Sequence, residues 1–214
     1  MSHHFNPYVQ GWNAGNIPTG QSPWQPGHGP APSPSIFGAL PTMSSYAGNG
    51  RPPPASGFQV FRITNLDPNV LNASVVSPQG TSAFRIITDP SQPLRTIWRD
   101  SSRRVFATVD WGTRSTVEMP GLFPRQSIRS WLRLSSDRTL RTMELRGVQY
   151  IWAPVDNYIC LYINQGGSPT QILARVCTTS NGVNIEMTSQ GIQHGLVEAS
   201  VLCASIFLSG HNIE

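Results

Sequence analysis

The sequence predicts a mainly β fold: an antiparallel closed barrel of about twelve strands around a buried hydrophobic C-terminal helix, preceded by a disordered N-terminal tail. Three observations predict it. The first fifty residues carry no charged side chain, short alternating runs begin at Phe58, and the last apolar segment is too long for one such strand. We therefore divide the chain into a tail, residues 1–56, and a barrel domain, residues 57–214.

The tail is rich in Gly, Pro, Ser and aromatic residues, and it has no Asp, Glu, Lys or Arg between Met1 and Gly50. Because it contains few aliphatic side chains, burial cannot offset an ordering entropy of about 1 to 2 kcal/mol per residue. Disorder is the expected state. The tail is then either an inert linker or a segment that recruits another protein, through Pro23–Pro26, Arg51–Pro54 and its spaced aromatic rings.

The barrel strands are predicted from residues that alternate in polarity. In Val105–Trp111 every second side chain is apolar and faces one side of a sheet. Similar runs occur at Phe58–Thr64, Ala73–Ser77, Ala83–Thr88, Arg95–Arg99, Ser115–Met119, Ser127–Leu134, Thr139–Leu145, Val148–Ala153, Tyr158–Asn164, Gln171–Thr178 and Val183–Met187. Turns rich in Gly, Pro, Asn and Asp separate them without intervening helices, which favours a sandwich or a closed barrel.

A helix is predicted over about residues 195–209. The segment Gly195–Ser209 has no proline and no internal glycine, and apolar side chains cover every face of the helix that it would form. Such a helix must be buried on all sides. In a domain made of strands, the lumen of a barrel is one place that satisfies this requirement. Glu198, near the first turn, would complement the positive end of the helix dipole.

The sequence excludes several classes of protein. Cys160, Cys177 and Cys203 lie far apart, without the CxxC or Cys/His pairs of a zinc site, so we expect buried free thiols and no metal. The N-terminus lacks the basic and apolar regions of a secretory signal. The run Leu196–Leu208 is shorter than the about 18 to 20 residues that span a bilayer. We expect an intracellular, cytoplasmic protein that is not secreted and has no transmembrane segment.

No motif indicates an enzyme. The sequence has no GxSxG, Gly-rich phosphate loop, HExxH or paired-carboxylate motif, and three of its five histidines lie in the tail. We expect a non-enzymatic protein that needs no cofactor.

The distribution of arginine is the most informative functional feature, because all fifteen basic residues are Arg. Arg99, Arg103 and Arg104 bracket a predicted turn, where three guanidinium groups could bind an anion such as a phosphate. Arg129 and Arg133 share one face of the predicted strand Ser127–Leu134 with an aromatic residue. They belong to a second group, which also contains Arg125, Arg138 and Arg141. The plain alternative is that these arginines are solvated outer-face residues, partly paired with nearby carboxylates.

Four stretches carry a resemblance to a known family. They are Thr96–Arg99, Val105–Trp111, Gly147–Trp152 and the closing helix, and together they resemble a large family of unknown function from mushroom-forming fungi. The resemblance covers Phe58–Leu208. Strands that end in a wholly apolar helix are similar to the tubby-like and LURP-one-related superfamily, which implies a twelve-stranded barrel around a central helix.

The resemblance also implies a function. Tubby proteins bind phosphoinositide head groups through basic residues on the barrel surface, and scramblase-like members associate with membranes. We therefore expect a binding or scaffold module that recognises an anionic head group at an intracellular membrane. The candidate binding residues are Arg99, Arg103, Arg104, Arg129 and Arg133. A protein-interaction module recruited through the tail is the first alternative. A binder of single-stranded nucleic acid is the second, although the net charge of +4 is modest for that partner.

Overall fold

The computed structural model describes residues 57–164 and 171–214, so the predicted tail lies outside the described residues. The helices are three: α1 (Ile128–Trp131), α2 (Ser189–Gln193) and α3 (Val197–Leu208). The strands are β1 (Phe58–Thr64), β2 (Ala73–Val76), β3 (Ser82–Thr88), β4 (Arg95–Asp100), β5 (Val105–Asp110), β6 (Thr116–Met119), β7 (Phe123–Ser127), β8 (Arg133–Leu134), β9 (Arg141–Leu145), β10 (Val148–Val155), β11 (Tyr158–Ile163), β12 (Ile172–Thr179) and β13 (Gly182–Thr188). These counts refer to the described residues.

All thirteen strands form one antiparallel sheet in the order β7-β6-β5-β4-β3-β2-β1-β13-β12-β11-β10-β9-β8. Neighbours in the sheet are also neighbours along the chain, except that β1 pairs with β13. The predicted antiparallel β architecture is therefore confirmed, with one strand more than the predicted twelve.

The predicted closure of the barrel is not confirmed, because the hydrogen-bonded sheet has two edges, β7 and β8. Strand directions alternate, so the first and last of thirteen strands run in the same direction. Parallel neighbours normally need a crossover of a dozen or more residues. Only residues 128–132 join these two edges, and Pro124 in β7 has no amide hydrogen to donate.

The sheet curves around α3, as the all-apolar sequence of this helix predicted. Trp98 on β4 donates from Nε1 to Ser205 Oγ at 3.3 Å. On the other half of the sheet, the rings of Trp152 on β10 and Phe207 meet edge to face, with centroids 5.5 Å apart. Nine consecutive residues of α3, from Ala199 to Phe207, are buried. The core therefore lies between the concave face of the sheet and this helix.

The prediction of a strand over Ser127–Leu134 is wrong. Ser127 Oγ accepts a hydrogen bond from the Ser130 amide at 3.1 Å and so caps the short helix α1. Ile128 and Trp131, three residues apart, are both buried on the inner side of this turn. Helix α2, which was not predicted, begins in the same way, because Thr188 Oγ1 accepts from the Gly191 amide at 3.1 Å.

None of the helices in the described part of the chain is long and apolar enough to cross a membrane.

A candidate anion-binding surface

The structure places the two predicted arginine groups near opposite ends of the strands. Strand pairing runs from Arg95 to Asp110, from Asp110 to Thr116, and from Thr116 to Ser127, which directly precedes α1. The group that contains Arg129 therefore lies at the end of β4 where Arg95 begins. The turn that carries Arg103 and Arg104 lies at the other end of β4. The five residue steps from Arg95 to Asp100 separate the two ends of β4 by roughly 17 Å. The five arginines that were predicted to bind an anion therefore do not form one site.

Asp100 holds the turn between β4 and β5 through hydrogen bonds with Arg104. Asp100 Oδ1 accepts from the Arg104 amide at 2.9 Å, and Asp100 Oδ2 accepts from Arg104 Nε at 3.1 Å. Arg103 is exposed and has a positive φ of 64°, as its place in the tight turn requires. Because Asp100 already neutralises Arg104, this turn offers one uncommitted charge at Arg103 rather than the three predicted to converge.

The second group is also dispersed. Arg129 is exposed on α1, and Arg133 on β8 donates from Nε to the Ser130 carbonyl at 3.1 Å. Arg125 forms an ion pair with Asp110, which also lies 3.8 Å from Arg95 Nε. The shared strand face that was predicted for Arg129 and Arg133 does not exist, because α1 interrupts the strand.

A different cationic surface appears on the convex, outer face of β1 to β4. Ile86 and Trp98 face the core, and the strand alternation directs their neighbours Arg85 and Arg99 outwards. These two arginines are directly opposite each other in the register of β3 and β4. Arg62 on β1 has the same outward orientation, between the buried Phe61 and Ile63. We call Arg62, Arg85 and Arg99 the outer-face arginines.

The outer-face arginines lack acidic partners within the described residues, where the ion pairs involve Arg95, Arg104, Arg125, Arg141 and Arg175. Like charges directly opposite each other on adjacent strands destabilise a sheet. In addition, Arg99 Nε is buried and has no hydrogen-bond partner. A buried donor without an acceptor is uncommon and costly. A bound anion or water molecule would supply the acceptor that Arg99 Nε lacks among the described protein atoms.

A half-open cavity of about 220 Å³ adjoins Arg62. Its lining consists of Arg62, Ile63, Thr64, Val76, Thr179, Asn181, Val183 and Asn184. None of these residues is acidic, and the guanidinium and the two amides supply hydrogen-bond donors. Thr64 is also paired with Ser74, which in turn is paired with Arg85. The cavity and the Arg85–Arg99 pair therefore belong to one continuous polar surface.

Arg62 and Arg85 were missed by the sequence analysis, although a signal exists. In the predicted strands Ala83–Thr88 and Arg95–Arg99, the large apolar residues Ile86 and Trp98 define the inner face, and the alternation then places Arg85 of the first strand and both arginines of the second outside. The direct opposition of Arg85 and Arg99 depends on the register of the hairpin, which the sequence pattern does not specify.

Arg175, which the sequence analysis did not single out, is instead a structural residue. It is buried on β12, donates from Nε to Glu186 Oε2 at 2.5 Å, and lies between the rings of Phe58 and Tyr158 at 4.4 and 4.5 Å. Its charge is neutralised by Glu186 and covered by the two rings. This cluster fastens β1, β11, β12 and β13 together.

The cysteines have the properties of unreactive thiols. All three are free; Cys160 and Cys203 are buried as predicted, whereas Cys177 is only half-buried. Burial raises the pKa of the Cys160 thiol to about 12, and it also raises the pKa of Cys203 and of Cys177. Because the thiolate is the reactive form, a raised pKa makes a nucleophilic role unfavourable.

Comparisons with known proteins give one family and one solved structure. The model of a family described as a family of unknown function (DUF6593) matches residues 68–196, which is more than half of the chain. No curated protein matches the sequence. The X-ray structure of a protein from Arabidopsis thaliana is similar over 70% of this chain and 91% of that chain, with 11% sequence identity and a TM-score of 0.42.

Proposed function

The chain belongs to the DUF6593 family of unknown function, and we propose that it is a non-enzymatic module that binds a phosphate-bearing, anionic head group at an intracellular membrane. The outer-face arginines are the proposed site. The observation that carries the proposal is the Arg85–Arg99 pair: two like charges directly opposite each other, neither of them in an ion pair within the described residues, and with the buried Arg99 Nε unsatisfied.

A bound phosphate would relieve both unfavourable features of this pair. Side chains that are directly opposite in an antiparallel sheet have Cβ atoms about 5 Å apart, so one phosphate between them can accept hydrogen bonds from both guanidinium groups. Such charge-assisted bonds are about twice as strong as neutral ones. Arg62 lies two strands and two residue positions from Arg85, at roughly 12 Å, and it would contact a second negative group or a polar part of the ligand in the adjoining cavity.

A membrane surface suits this arrangement because the charge is spread over a convex face. Each Arg near an anionic leaflet contributes about 1 kcal/mol of attraction. Arg103, exposed on the turn that follows β4, would add to the same attraction without belonging to the head-group site. We propose peripheral association of this kind and a cytoplasmic location.

We further propose that the fold is that of the tubby-like and LURP-one-related superfamily and that the relatives are fungal. The burial of α3 against the concave side of the sheet supports this proposal. It requires the edges β7 and β8 to pair in parallel, although only residues 128–132 join them. Hydrogen exchange of the β7 amides that do not bond to β6 tests this: protection as strong as in β5 would support closure, and rapid exchange would contradict it.

Vesicle flotation tests the function. The wild type is expected to float with phosphatidylcholine vesicles that contain a phosphoinositide and to remain below with phosphatidylcholine alone. The variant Arg85→Gln/Arg99→Gln should lose most of this binding. The matched control Arg129→Gln/Arg133→Gln removes the same charge from the opposite end of the sheet and should retain it. An equal loss of vesicle binding in both variants, or flotation that does not depend on lipid charge, would contradict the proposal.

Soluble competitors test whether the protein recognises the head group itself, the charge of the membrane surface or a nucleic acid. A soluble inositol phosphate that competes with flotation would show that the head group alone is recognised. Failure of this competitor, together with binding to any acidic vesicle, would indicate attraction to the surface charge without a head-group site. Preferential binding of a labelled single-stranded oligonucleotide would replace the membrane proposal with the nucleic-acid alternative.

A further inference from the structure

Residues 209–214, which we call the C-terminal strap, fold back over the end of the sheet where α3 finishes. The ring of His211 stacks on Trp111 with the centroids 4.3 Å apart and the planes 12° apart. Ile213 is buried, and the carboxylate of Glu214 forms an ion pair with Arg141. Trp111 follows β5 and Arg141 begins β9, so the strap bridges the two halves of the sheet.

Arg141 is the unusual member of these contacts, because it is a charged residue on the inner face of the sheet. It is paired in register with Trp152, which packs against α3. Its side chain is 2% exposed. Arg141 Nη1 donates to the Leu132 carbonyl at 2.8 Å, and Nη2 donates to Glu214. A buried guanidinium of this kind requires a carboxylate, because an unpaired charge is strongly unfavourable in the interior.

The site around Arg141 offers more hydrogen-bond donors than Glu214 uses. Arg141 Nε is buried without a partner. Nε and Nη2 form the side of the guanidinium that can donate two parallel bonds to one carboxylate. Glu214 contacts this guanidinium through a single bond from Nη2, so the adjacent Nε is an unused donor that a second carboxylate oxygen could occupy. The guanidinium therefore has the donors to hold an acidic group by two parallel bonds.

The side chains of His211, Ile213 and Glu214 make the contacts of the strap given above. The amide of His211 donates to Ser209 Oγ at 3.1 Å, and the amide of Glu214 donates to Asn212 Oδ1 at 3.0 Å. The strap belongs to none of the strands of the described sheet, so its release would leave the strand pairing intact. His211 and Asn212 are exposed, whereas Ile213 is buried and the Glu214 side chain, still 29% exposed, reaches the buried Arg141.

We propose that Arg141 is the centre of a carboxylate-binding site that Glu214 fills from within the same chain, and that an acidic peptide segment of another protein can take the place of the strap. The strap itself defines the ligand: an aliphatic residue followed by an acidic residue, as in Ile213–Glu214. Occupation by Glu214 is then an autoinhibitory contact. This site is on the inner face and is independent of the outer-face arginines, so either proposal can fail without the other.

Binding of a short peptide to the full chain tests the proposal. The probe is acetyl-Ile-Glu-amide, whose only carboxylate is the side chain, and the control probe is acetyl-Ile-Gln-amide. In the Glu214→Gln variant the internal competitor is neutral but can still accept a hydrogen bond from Arg141. We expect this variant to bind the acidic probe at least tenfold more tightly than the wild type does, and to ignore the control probe. The signal is the NMR shift of the Arg141 Nε proton, which has no partner in the described structure.

A second variant links the binding to the guanidinium group. Glu214→Gln/Arg141→Lys keeps the positive charge and removes the fork of donors, so it should lose the gain in affinity. If this variant does not fold, the shift of the Arg141 Nε proton in Glu214→Gln with the two probes decides the question alone. Equal affinity of wild type and Glu214→Gln, equal shifts with both probes, or no shift at Arg141 Nε would overturn the proposal.

Discussion

The indole nitrogen of Trp98 on β4 donates a hydrogen bond to Ser205 Oγ on α3, and both residues are fully buried. Ser205 Oγ in turn donates to the Val201 carbonyl one turn earlier in the helix, at 2.7 Å. This chain of two bonds connects the sheet to the central helix through an otherwise apolar core. It sets the position of α3 along its axis, because apolar contacts alone are not directional.

Ser205→Ala should therefore destabilise the protein. The substitution leaves the Trp98 indole buried without an acceptor, which costs about 1 to 3 kcal/mol. Ser200 supplies the control on the same helix: its hydroxyl is buried and has no partner, so Ser200→Ala should be neutral or stabilising. Urea denaturation of the two variants measures the difference. Equal destabilisation by both would show that the Trp98–Ser205 bond contributes little.

Gly182 at the start of β13 should not tolerate a side chain. Its φ is +135°, and a Cβ atom there would lie 2.1 Å from the Ile63 carbonyl oxygen, so β1 and β13 would have to separate. We expect Gly182→Ala to cost about 3 kcal/mol or more. Gly80, with φ +82° and open space around it, is the control, and Gly80→Ala should cost only about 1 kcal/mol. Thermal and urea denaturation check this order, and similar losses would contradict it.

His211 should make the stability of the fold depend on pH. Although His211 is exposed on one side, the other face of its ring is desolvated by stacking on Trp111, which lowers its pKa, so the unfolded chain takes up this proton more readily than the folded chain. The stability contributed is complete above the unfolded-state pKa of about 6.5. It is lost as the pH falls through that value towards the folded-state pKa. NMR titration of the ring should give a pKa below that of an unfolded peptide.

The control for this prediction is His211→Phe, which keeps an aromatic ring on Trp111 and removes the titration. Its unfolding free energy should fall less than that of the wild type between pH 7.5 and pH 5.5. A steeper fall in the variant would show that other groups dominate the acid sensitivity.

Arg85→Glu should affect stability and binding in opposite directions. It converts the like-charged Arg85–Arg99 pair into an attractive one, so we expect the unfolding free energy to rise by about 0.2 to 1 kcal/mol. The same variant should lose binding to phosphoinositide vesicles. Arg129→Glu, at the other end of the sheet, should change neither property appreciably. Denaturation and flotation measure the two effects, and a loss of stability in Arg85→Glu would indicate a packing role instead.

The sequence pattern predicted a strand or helix correctly where the order of polar and apolar residues is typical of only one of the two. The limits of β1 agree with the prediction, because its apolar and polar residues alternate. The central helix was predicted because apolar side chains cover every face of its segment, interrupted only by Glu198, Ser200 and Ser205. The same reasoning failed at α1, since one helical turn is too short for a periodic pattern, and the capping bond of Ser127 outweighs the apparent alternation.

The candidate site was harder to predict, because it consists of arginines that meet only through strand pairing. Arg99 was selected on account of its neighbours in the sequence, Arg103 and Arg104. In the structure its neighbour on the outer face is Arg85, fourteen positions earlier. Arg62 joins them because β1, β2, β3 and β4 are consecutive in the sheet. Spacing along the chain does not contain that information.

The sequence by itself determined which segments become strands and which becomes the central helix, because each side chain carries its own preference for water or for the interior. Only the tertiary structure decided which charges become neighbours. Arg85 is opposite Arg99, and Arg141 meets Glu214 from 73 positions away, because register and the path of the strap bring them together. Local patterns arise from one residue at a time, whereas a site depends on the relative placement of several elements, which is fixed only when the strands pair and the sheet curves around the helix.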